Sequence, residues 1–137
     1  MNREIKFKAW DKVTKLLVDL IGFKDLGQKI ELWYWNKDNE KAYCVADKEY
    51  IELMQYTGLK DKNDKEIYEG DIVKVQYAFT VSDKSYNFKV CYDEDNAGFL
   101  LKEITKSYGT IEWFDNLSEH EFEVIGNIYE NSALLKE

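Results

Sequence analysis

The chain has 137 residues, of which 45% are hydrophobic and 15% aromatic, and this composition is ample for one packed domain. The formal net charge is −8 and Arg3 is the single arginine, which disfavours an extended surface for nucleic acid phosphates. No apolar run approaches the roughly 18 residues of a membrane span, and the N-terminus lacks the apolar block of a signal peptide. We therefore expect a soluble intracellular protein with no membrane partner.

Short alternating segments predict β-strands in the first half of the chain. Segment 4–10 places Ile5, Phe7 and Ala9 on one side, as in a half-buried strand. Segment 16–23 fits a strand better than a short helix, because it is brief and no capping residue precedes it. Further strands are predicted at 30–35, 42–45 and 53–56, with one helical turn capped by Asp47 before the last of them.

The central stretch 53–75 combines an apolar strand, a polar reversal and a tight Gly70-Asp71 turn into the next strand. Each of its features has an explanation in folding, with Gly70 serving a backbone conformation that other residues avoid. Its apolar positions are predicted to lie in the core or at its rim: Met54, Tyr56, Ile67, Tyr68, Ile72 and Val73.

The second half continues the β pattern. Strands are predicted at 72–79, 86–92, 99–104 and 121–129, followed by an Asn131-capped helical turn. Segment 107–116 is ambiguous between strand and loop. The chain contains no proline and no long helical pattern, so the residues by themselves predict an all-β barrel or sandwich with minor helix.

Metal and disulfide chemistry have little support in the sequence. Cys44 and Cys91 are compatible with a disulfide, but buried thiols in a reducing cytosol are the favoured interpretation. A zinc site needs more ligands than these cysteines and the single histidine, His120, provide. Acidic loops starting at Asp61 and Asp93 fail the ligand spacing of a calcium site. No metal and no cofactor is predicted.

Catalytic motifs are equally weak. Ser118 and His120 are close in sequence, yet no nucleophile-elbow glycines surround the serine. The glycine-rich loops of dinucleotide-binding and P-loop enzymes have no counterpart in the chain. A pair of carboxylates for glycoside hydrolysis is compatible with so acidic a chain, but no pair stands out. We therefore predict that the protein is not an enzyme.

An aromatic cluster in the first half is the best candidate for an interaction surface. It comprises Trp33, Tyr34, Trp35 and Tyr43, interleaved with Lys29, Lys37 and Lys41. Neighbouring residues of a strand point to opposite faces, so the cluster is expected to expose at least one of its aromatic rings. Such rings can stack on single-stranded bases. Burial in a core or a subunit interface is the favoured interpretation.

The charge is unevenly distributed and leaves a third alternative open. Residues 1–70 hold 13 basic and 14 acidic residues, whereas residues 71–137 hold 6 and 13. An acidic second half is typical of a solvated surface, and it also fits a protein that imitates nucleic acid and inhibits a nucleic-acid-binding partner. That hypothesis needs one continuous acidic stripe formed by Asp93, Glu94, Asp95, Glu119, Glu121 and Glu123.

Three segments resemble the YopX proteins of bacteriophages and prophages. The central stretch 53–73 resembles the signature of that family, and 3–11 and 124–131 resemble its termini. Asp64 stands where the family usually has glycine, and Ser132 where it often has proline. Both departures lie in turns and leave the implied fold intact.

The resemblance implies a mainly β protein with an SH3-like β-barrel, additional N-terminal strands and minor short helices. We expect residues 1–137 to form a single YopX-like domain, with an N-terminal β subdomain at 1–50 packed on a barrel at 51–137 that the central stretch closes. The resemblance implies a phage or prophage origin and no reaction. We predict a non-catalytic protein-interaction module in the cytoplasm of the bacterial host. Its expected partners are a second copy of the chain and a host or phage protein.

Overall fold

A computed structural model of the chain describes residues 4–77, 85–104, 111–114, 117 and 121–135. The protein is mainly β, with 61% of the described residues in strands and 8% in helical turns, and this confirms the predicted fold class at that level. No helix in the described ranges is long and apolar enough to cross a membrane.

The strands form two antiparallel sheets. The first sheet has the order β4-β3-β2-β1-β5-β6 and the second the order β10-β9-β8-β7-β11. The first contains β1 (Phe7–Asp11), β2 (Leu16–Asp25), β3 (Lys29–Trp35), β4 (Lys41–Asp47), β5 (Ile51–Lys60) and β6 (Glu66–Tyr68). The second contains β7 (Asp71–Val75), β8 (Tyr86–Asp93), β9 (Gly98–Glu103), β10 (Ile111–Glu112) and β11 (Phe122–Asn127). Single 3₁₀ turns occupy Lys48–Tyr50 and Ser132–Leu135.

The central stretch contributes strands to both sheets. β5 and β6 belong to the first sheet, and β7 belongs to the second. Among the described residues the two sheets remain open and no closed barrel forms, so the barrel closure expected of this stretch is not observed there. The SH3-like barrel stays a prediction.

The chain divides into two compact units, Met1–Tyr56 and Thr57–Glu137. In the first unit, the buried side chains of Ala9, Ile30, Leu32 and Ile51 form one cluster. The strand predicted at 4–10 is confirmed as β1, but its first inward-facing candidate, Ile5, is 72% exposed because β1 starts only at Phe7.

The second unit has the larger apolar core. Its strands β7, β8 and β9 correspond to three of the predicted strands and form an antiparallel meander. The six residues of the central stretch that were predicted to be buried are each less than 5% exposed. The core of this unit consists of Ile67, Val73, Val75, Phe88, Val90, Leu101, Phe114, Phe122 and Val124.

Gly70 and Asp71 show why the central stretch has its particular turn residues. Gly70 has a φ of +88°, in the left-handed region that glycine adopts without steric cost. Its N–H donates to the carbonyl of Val90 at 2.9 Å, and its carbonyl accepts from the N–H of Ile128 at 2.9 Å. The Asp71 carboxylate accepts from the N–H of Tyr68 at 2.8 Å. This turn is therefore fixed by backbone geometry and by one buried acceptor.

Asp61 organises the polar reversal before it. The side chain is buried, at 4% exposure, and Oδ1 accepts from the N–H groups of Asn63 and Lys65 at 2.8 and 2.9 Å. Oδ2 accepts from the N–H of Val124 at 2.8 Å, which ties the reversal to β11. Burial by itself raises the pKa of Asp61, but these three N–H groups and the Lys65 charge outweigh it and lower the pKa.

Asp47 is the N-cap residue of its turn, as predicted, but the side chains of both predicted caps bond elsewhere. The turn at Lys48–Tyr50 exists, but the Asp47 side chain makes no capping hydrogen bond to it; instead its carboxylate pairs with Lys29 at 2.7 Å. The C-terminal turn also exists, but Asn131 Oδ1 accepts from the N–H of Asn127 at 3.1 Å and so faces backwards along the chain. In both places the side chain that was predicted to cap the turn accepts a hydrogen bond from another donor instead.

Candidate functional site

The β3–β4 hairpin carries the aromatic cluster on two opposite faces. In its register Trp33 lies opposite Tyr43, and Trp35 lies opposite Lys41. Ile30 and Leu32 alternate with these positions and are buried. Because side chains alternate along a strand, β3 buries its even-numbered residues and exposes its tryptophans.

We call the exposed side the aromatic face and define it by Trp33, Trp35, Tyr43 and Val45. These four side chains are 38%, 40%, 52% and 48% exposed. The Trp33 and Tyr43 rings lie 5.2 Å apart between centroids, tilted by 44°. Such a contact holds both rings in place while leaving their outer surfaces in water.

Polar contacts further fix the aromatic face. The Tyr43 hydroxyl donates to Glu31 Oε1 at 3.0 Å, and this hydrogen bond is the main cause of the raised pKa of Tyr43. The Lys41 ammonium lies 5.9 Å from the centre of the Trp35 ring, within the range of a cation–π contact. Tyr43 and Trp35 therefore each have a polar partner within the hairpin.

Tyr34 lies apart from the other three predicted residues. It is partly buried and packs against the cluster formed by Ala9, Ile30, Leu32 and Ile51. The structure therefore brings together Trp33, Trp35 and Tyr43 and places Tyr34 on the opposite face.

Val45 and Gly22 complete the surface, and sequence reasoning missed both. Val45 follows Tyr43 by two residues, so strict alternation along β4 was the signal for it. Gly22 lies opposite Trp33 on β2, next to a register shift between Leu20 and Gly22. A shift of that kind changes which side chains share a face, and a single sequence does not reveal it. Among the described residues other than the two chain neighbours of Gly22, none places an atom within 4 Å of where a Cβ of Gly22 would stand, so the flank of Trp33 is open there.

Charges around the aromatic face balance. On the same face, the flanking side chains are three lysines and three acids: Lys24, Lys29, Lys41, Asp19, Glu31 and Asp47. Lys29 pairs with Asp47 at 2.7 Å. The remaining predicted lysine, Lys37, lies in the exposed β3–β4 turn. The face has no excess of positive charge to attract phosphates.

Nucleophilic and metal-binding groups give no second site among the described residues. Cys44 and Cys91 are free and half-buried, and burial raises the pKa of each thiol, which favours the protonated form. Burial and a hydrogen bond to Glu112 raise the pKa of Tyr77 to about 12. No group of three or more His, Cys, Asp or Glu side chains within the described ranges could hold a metal ion. Ser118 and His120 lie outside those ranges.

Comparisons with known proteins place the chain in a family and a fold. The YopX protein family matches residues 6–136. The crystal structure of protein EF1440 from Enterococcus faecalis is similar over 98% of this chain and 99% of that one, with a TM-score of 0.62 and 22% identity, which shows a shared fold. No curated protein matches the chain. The extent of the family match, nearly the whole chain, shows that this protein belongs to the YopX family.

Proposed function

We propose that this YopX protein is a non-catalytic protein-interaction module that self-associates through the β3–β4 hairpin. We further propose that it is encoded by a phage or prophage and acts in the cytoplasm of the bacterial host. The observation that carries the proposal is the aromatic face, where Trp33, Trp35 and Tyr43 are each more than a third exposed on one side of one hairpin. Tryptophan and tyrosine are enriched at the energetic centres of protein interfaces.

The rigidity of the aromatic face supports an interface. Trp33 and Tyr43 contact each other, and Tyr43 is held by its hydrogen bond to Glu31. Side chains that are ordered before binding lose little conformational entropy when a partner covers them. A partner that covers the aromatic face therefore gains apolar contact at little cost in conformational entropy.

The local chemistry supports a binding role over catalysis. The thiols of Cys44 and Cys91 have raised pKa values, so neither is activated as a nucleophile by its surroundings. The hydroxyl of Tyr43 is engaged with a carboxylate and its pKa is raised as well. The aromatic face thus offers contact area and hydrogen bonds, not a reactive group.

A single-stranded nucleic acid is the second candidate partner. The exposed rings of Trp33 and Trp35, with Lys41 beside the latter, fit base stacking. Against this, Glu31 lies opposite Val45 within the same face, and the flanking charges balance. Because stacking proteins rely on a basic groove to follow the backbone, we rank this function below protein binding.

The nucleic-acid-mimic alternative has less support. Glu123 lies opposite Lys74, which in turn lies opposite Asn87. Asp93 is six residues further along β8, or about 20 Å at strand rise. These acids therefore lie towards opposite ends of the sheet, and Glu119 is outside the described residues. The described acids do not form one continuous stripe.

We also propose the SH3-like barrel for the second unit. Its support is the β7-β8-β9 meander with β11 on the other side of β7, the kind of antiparallel arrangement from which small barrels are built. A crystal structure of the chain would test whether the strand ladders of this unit close.

Light scattering coupled to size-exclusion chromatography tests the proposed function. The wild-type chain is expected to show a mass above that of the monomer, rising with concentration. A Trp33→Ser/Trp35→Ser double variant is expected to show a lower mass than the wild type at the same concentration, since it removes the exposed rings. Trp113→Ser is the matched control, because Trp113 is 36% exposed in the second unit.

Two outcomes would contradict the proposal. A strict monomer at every concentration would remove self-association, and equal behaviour of the double variant and the control would remove the aromatic face. Quenching of tryptophan fluorescence by oligonucleotides at low salt, lost in the double variant, would favour the nucleic acid alternative instead.

A further inference from the structure

β4 is the one long, regular sheet edge among the described residues. The edges of the two sheets are β4, β6, β10 and β11. β6 and β10 contain three and two residues, and β11 has a register shift between Val124 and Gly126. β4 pairs without interruption over seven residues, from Lys41 to Asp47. Short and bulged edges resist pairing with other chains, whereas a long regular edge is a template for it.

The backbone groups on the outer side of β4 can be identified from the hairpin. The N–H of Asn36 donates to the carbonyl of Glu40, and the N–H of Lys48 donates to the carbonyl of Gln28, both at 2.9 Å. These bonds continue the β3–β4 register at even-numbered positions. In an antiparallel pair, bonded and non-bonded positions alternate. The odd-numbered residues of β4 therefore direct their N–H and C=O groups outward.

We propose that this edge pairs with β4 of a second copy, antiparallel, about a two-fold axis at Cys44. The inference rests on the proposed self-association and adds a second contact to it: the β4 edges join two copies, and their aromatic faces stay uncovered for contact with further copies. In this register Tyr43 lies opposite Val45 of the second copy, and Lys41 lies opposite its Asp47. These are the odd-numbered residues, so their outward N–H and C=O groups form the bonds between the two strands.

The side chains of β4 are self-complementary in this register. Lys41 faces an acid, and Tyr43 faces a β-branched residue, two kinds of cross-strand pair that stabilise antiparallel sheets. Ala42 and Ala46 face each other, so no bulky side chain obstructs the approach. A shift of two residues would place Lys41 opposite Val45 and Tyr43 opposite itself. That shift separates the charges and leaves the two-fold register at Cys44 favoured.

Contacts within one copy are compatible with this pairing. Asp47 accepts the bond from Lys29 with Oδ1, and within the described residues its Oδ2 has no hydrogen-bond partner. The Lys29–Asp47 pair is half-exposed, and such pairs are worth little in water. Asp47 can therefore face both lysines.

The pairing would enlarge the aromatic face. Odd-numbered residues of both β4 strands lie on the same side of the joined sheet, so the aromatic faces of the two copies become adjacent. The dimer would present the rings of Trp33, Trp35 and Tyr43 twice on one continuous sheet. Both β3–β4 hairpins would then lie side by side in the same sheet.

Cysteine cross-linking tests the register. At the two-fold axis Cys44 faces its own copy as a non-bonded pair, with Cα atoms about 4.5 Å apart. Disulfides accept Cα separations of roughly 4.4–6.8 Å. Treatment with diamide at alkaline pH, which offsets the raised pKa of Cys44, is expected to give a covalent dimer on non-reducing gels. Cys91→Ser should retain this dimer, and Cys44→Ser should lose it.

A displaced cysteine provides the matched control. Val45 is 48% exposed, so a cysteine there meets oxidant readily. In the proposed register position 45 faces position 43, not itself. A Val45→Cys/Cys44→Ser/Cys91→Ser variant should therefore cross-link at least several-fold more slowly than the protein with Cys44. Equal or faster cross-linking of this variant would overturn the register.

Charge reversal gives a second readout that does not need oxidation. Lys41→Glu places like charges opposite each other twice per dimer and should weaken dimerisation roughly fivefold. Lys37→Glu makes the same change of charge in the β3–β4 turn and should leave the dissociation constant within about twofold. Equal effects of the two variants would contradict the Lys41–Asp47 pairing.

The outcomes separate this inference from the proposed function. A wild-type chain that stays monomeric in sedimentation equilibrium overturns both. A chain that dimerises, but whose Cys44 does not cross-link, overturns the β4 pairing and leaves self-association through the aromatic face standing.

Discussion

The β3–β4 hairpin and the central stretch 53–75 use similar residues for opposite purposes. The hairpin exposes Trp33, Trp35 and Tyr43 on one side. The central stretch buries Ile67 and Tyr68 and also buries the carboxylates of Asp61 and Asp71. Polar groups in the hairpin face water or each other, whereas in the central stretch they bond to backbone N–H groups.

This difference shows that the residues of the family signature act in folding. The turn residues of the central stretch each satisfy a backbone requirement: Gly70 its positive φ, Asp61 three N–H groups and Asp71 one. They explain the fold and supply no exposed chemistry. The proposed interaction surface lies in the first unit, outside the segments that resemble the family. Stability and binding are therefore expected to separate between the two regions.

The largest effect is expected at Asp61. Asp61→Asn keeps the shape but turns an amide N–H₂ towards N–H groups that need an acceptor, and we expect a loss of about 3 kcal/mol in the free energy of unfolding. Urea denaturation followed by circular dichroism measures it. Asp64→Asn is the control, since the Asp64 side chain is 85% exposed in the same reversal. Comparable losses in both variants would show that burial of Asp61 is not the cause.

A smaller loss is expected at Gly70. Gly70→Val forces a β-branched residue into φ +88° and should cost roughly 2 kcal/mol, seen as a lower melting temperature. Gly22→Val is the matched change in the first unit, where the space beside the glycine is open and the backbone is not left-handed. We expect Gly22→Val to be neutral or slightly stabilising. An unchanged melting temperature for Gly70→Val would refute the argument.

The pH dependence of stability should also distinguish the two regions. The pKa of Asp61 is lowered in the folded protein, so its contribution is fully present above the unfolded value of about 4 and is lost as the pH falls through the lower, folded value. The stability difference between wild type and Asp61→Asn should shrink on acidification. Asp25, whose pKa is lowered by Lys48 and the N–H of Gly27, is exposed, so Asp25→Asn should show a much weaker trend.

The smallest effect on stability is expected in the aromatic face. Tyr43→Phe removes the hydrogen bond to Glu31 at an exposed site, so the free energy of unfolding should stay close to that of the wild type. Chemical denaturation of the two proteins side by side measures this. A loss as large as that of Gly70→Val would mean that the aromatic face supports the fold and would weaken the case for an interface.

Local patterns were sufficient to predict most strands and part of the core. Alternation located β1 to β4 because a half-buried strand must place apolar residues at every second position. Alternation also predicted that Tyr34 points to the opposite face from its tryptophan neighbours. It did not predict which of the two faces would be buried. Asp47 is the N-cap residue of its turn as predicted, but local patterns did not predict that its side chain would bond to Lys29, or that of Asn131 to the N–H of Asn127.

The sequence by itself determined the mainly β class, the family and the turn chemistry, because these depend on residues close together along the chain. Tertiary structure decided which side of β3 is exposed, that β4 forms a regular edge, and that Asp61 reaches Val124, 63 residues away. Such facts depend on strand order and register. Those are set by the packing of distant segments, which local periodicity does not specify.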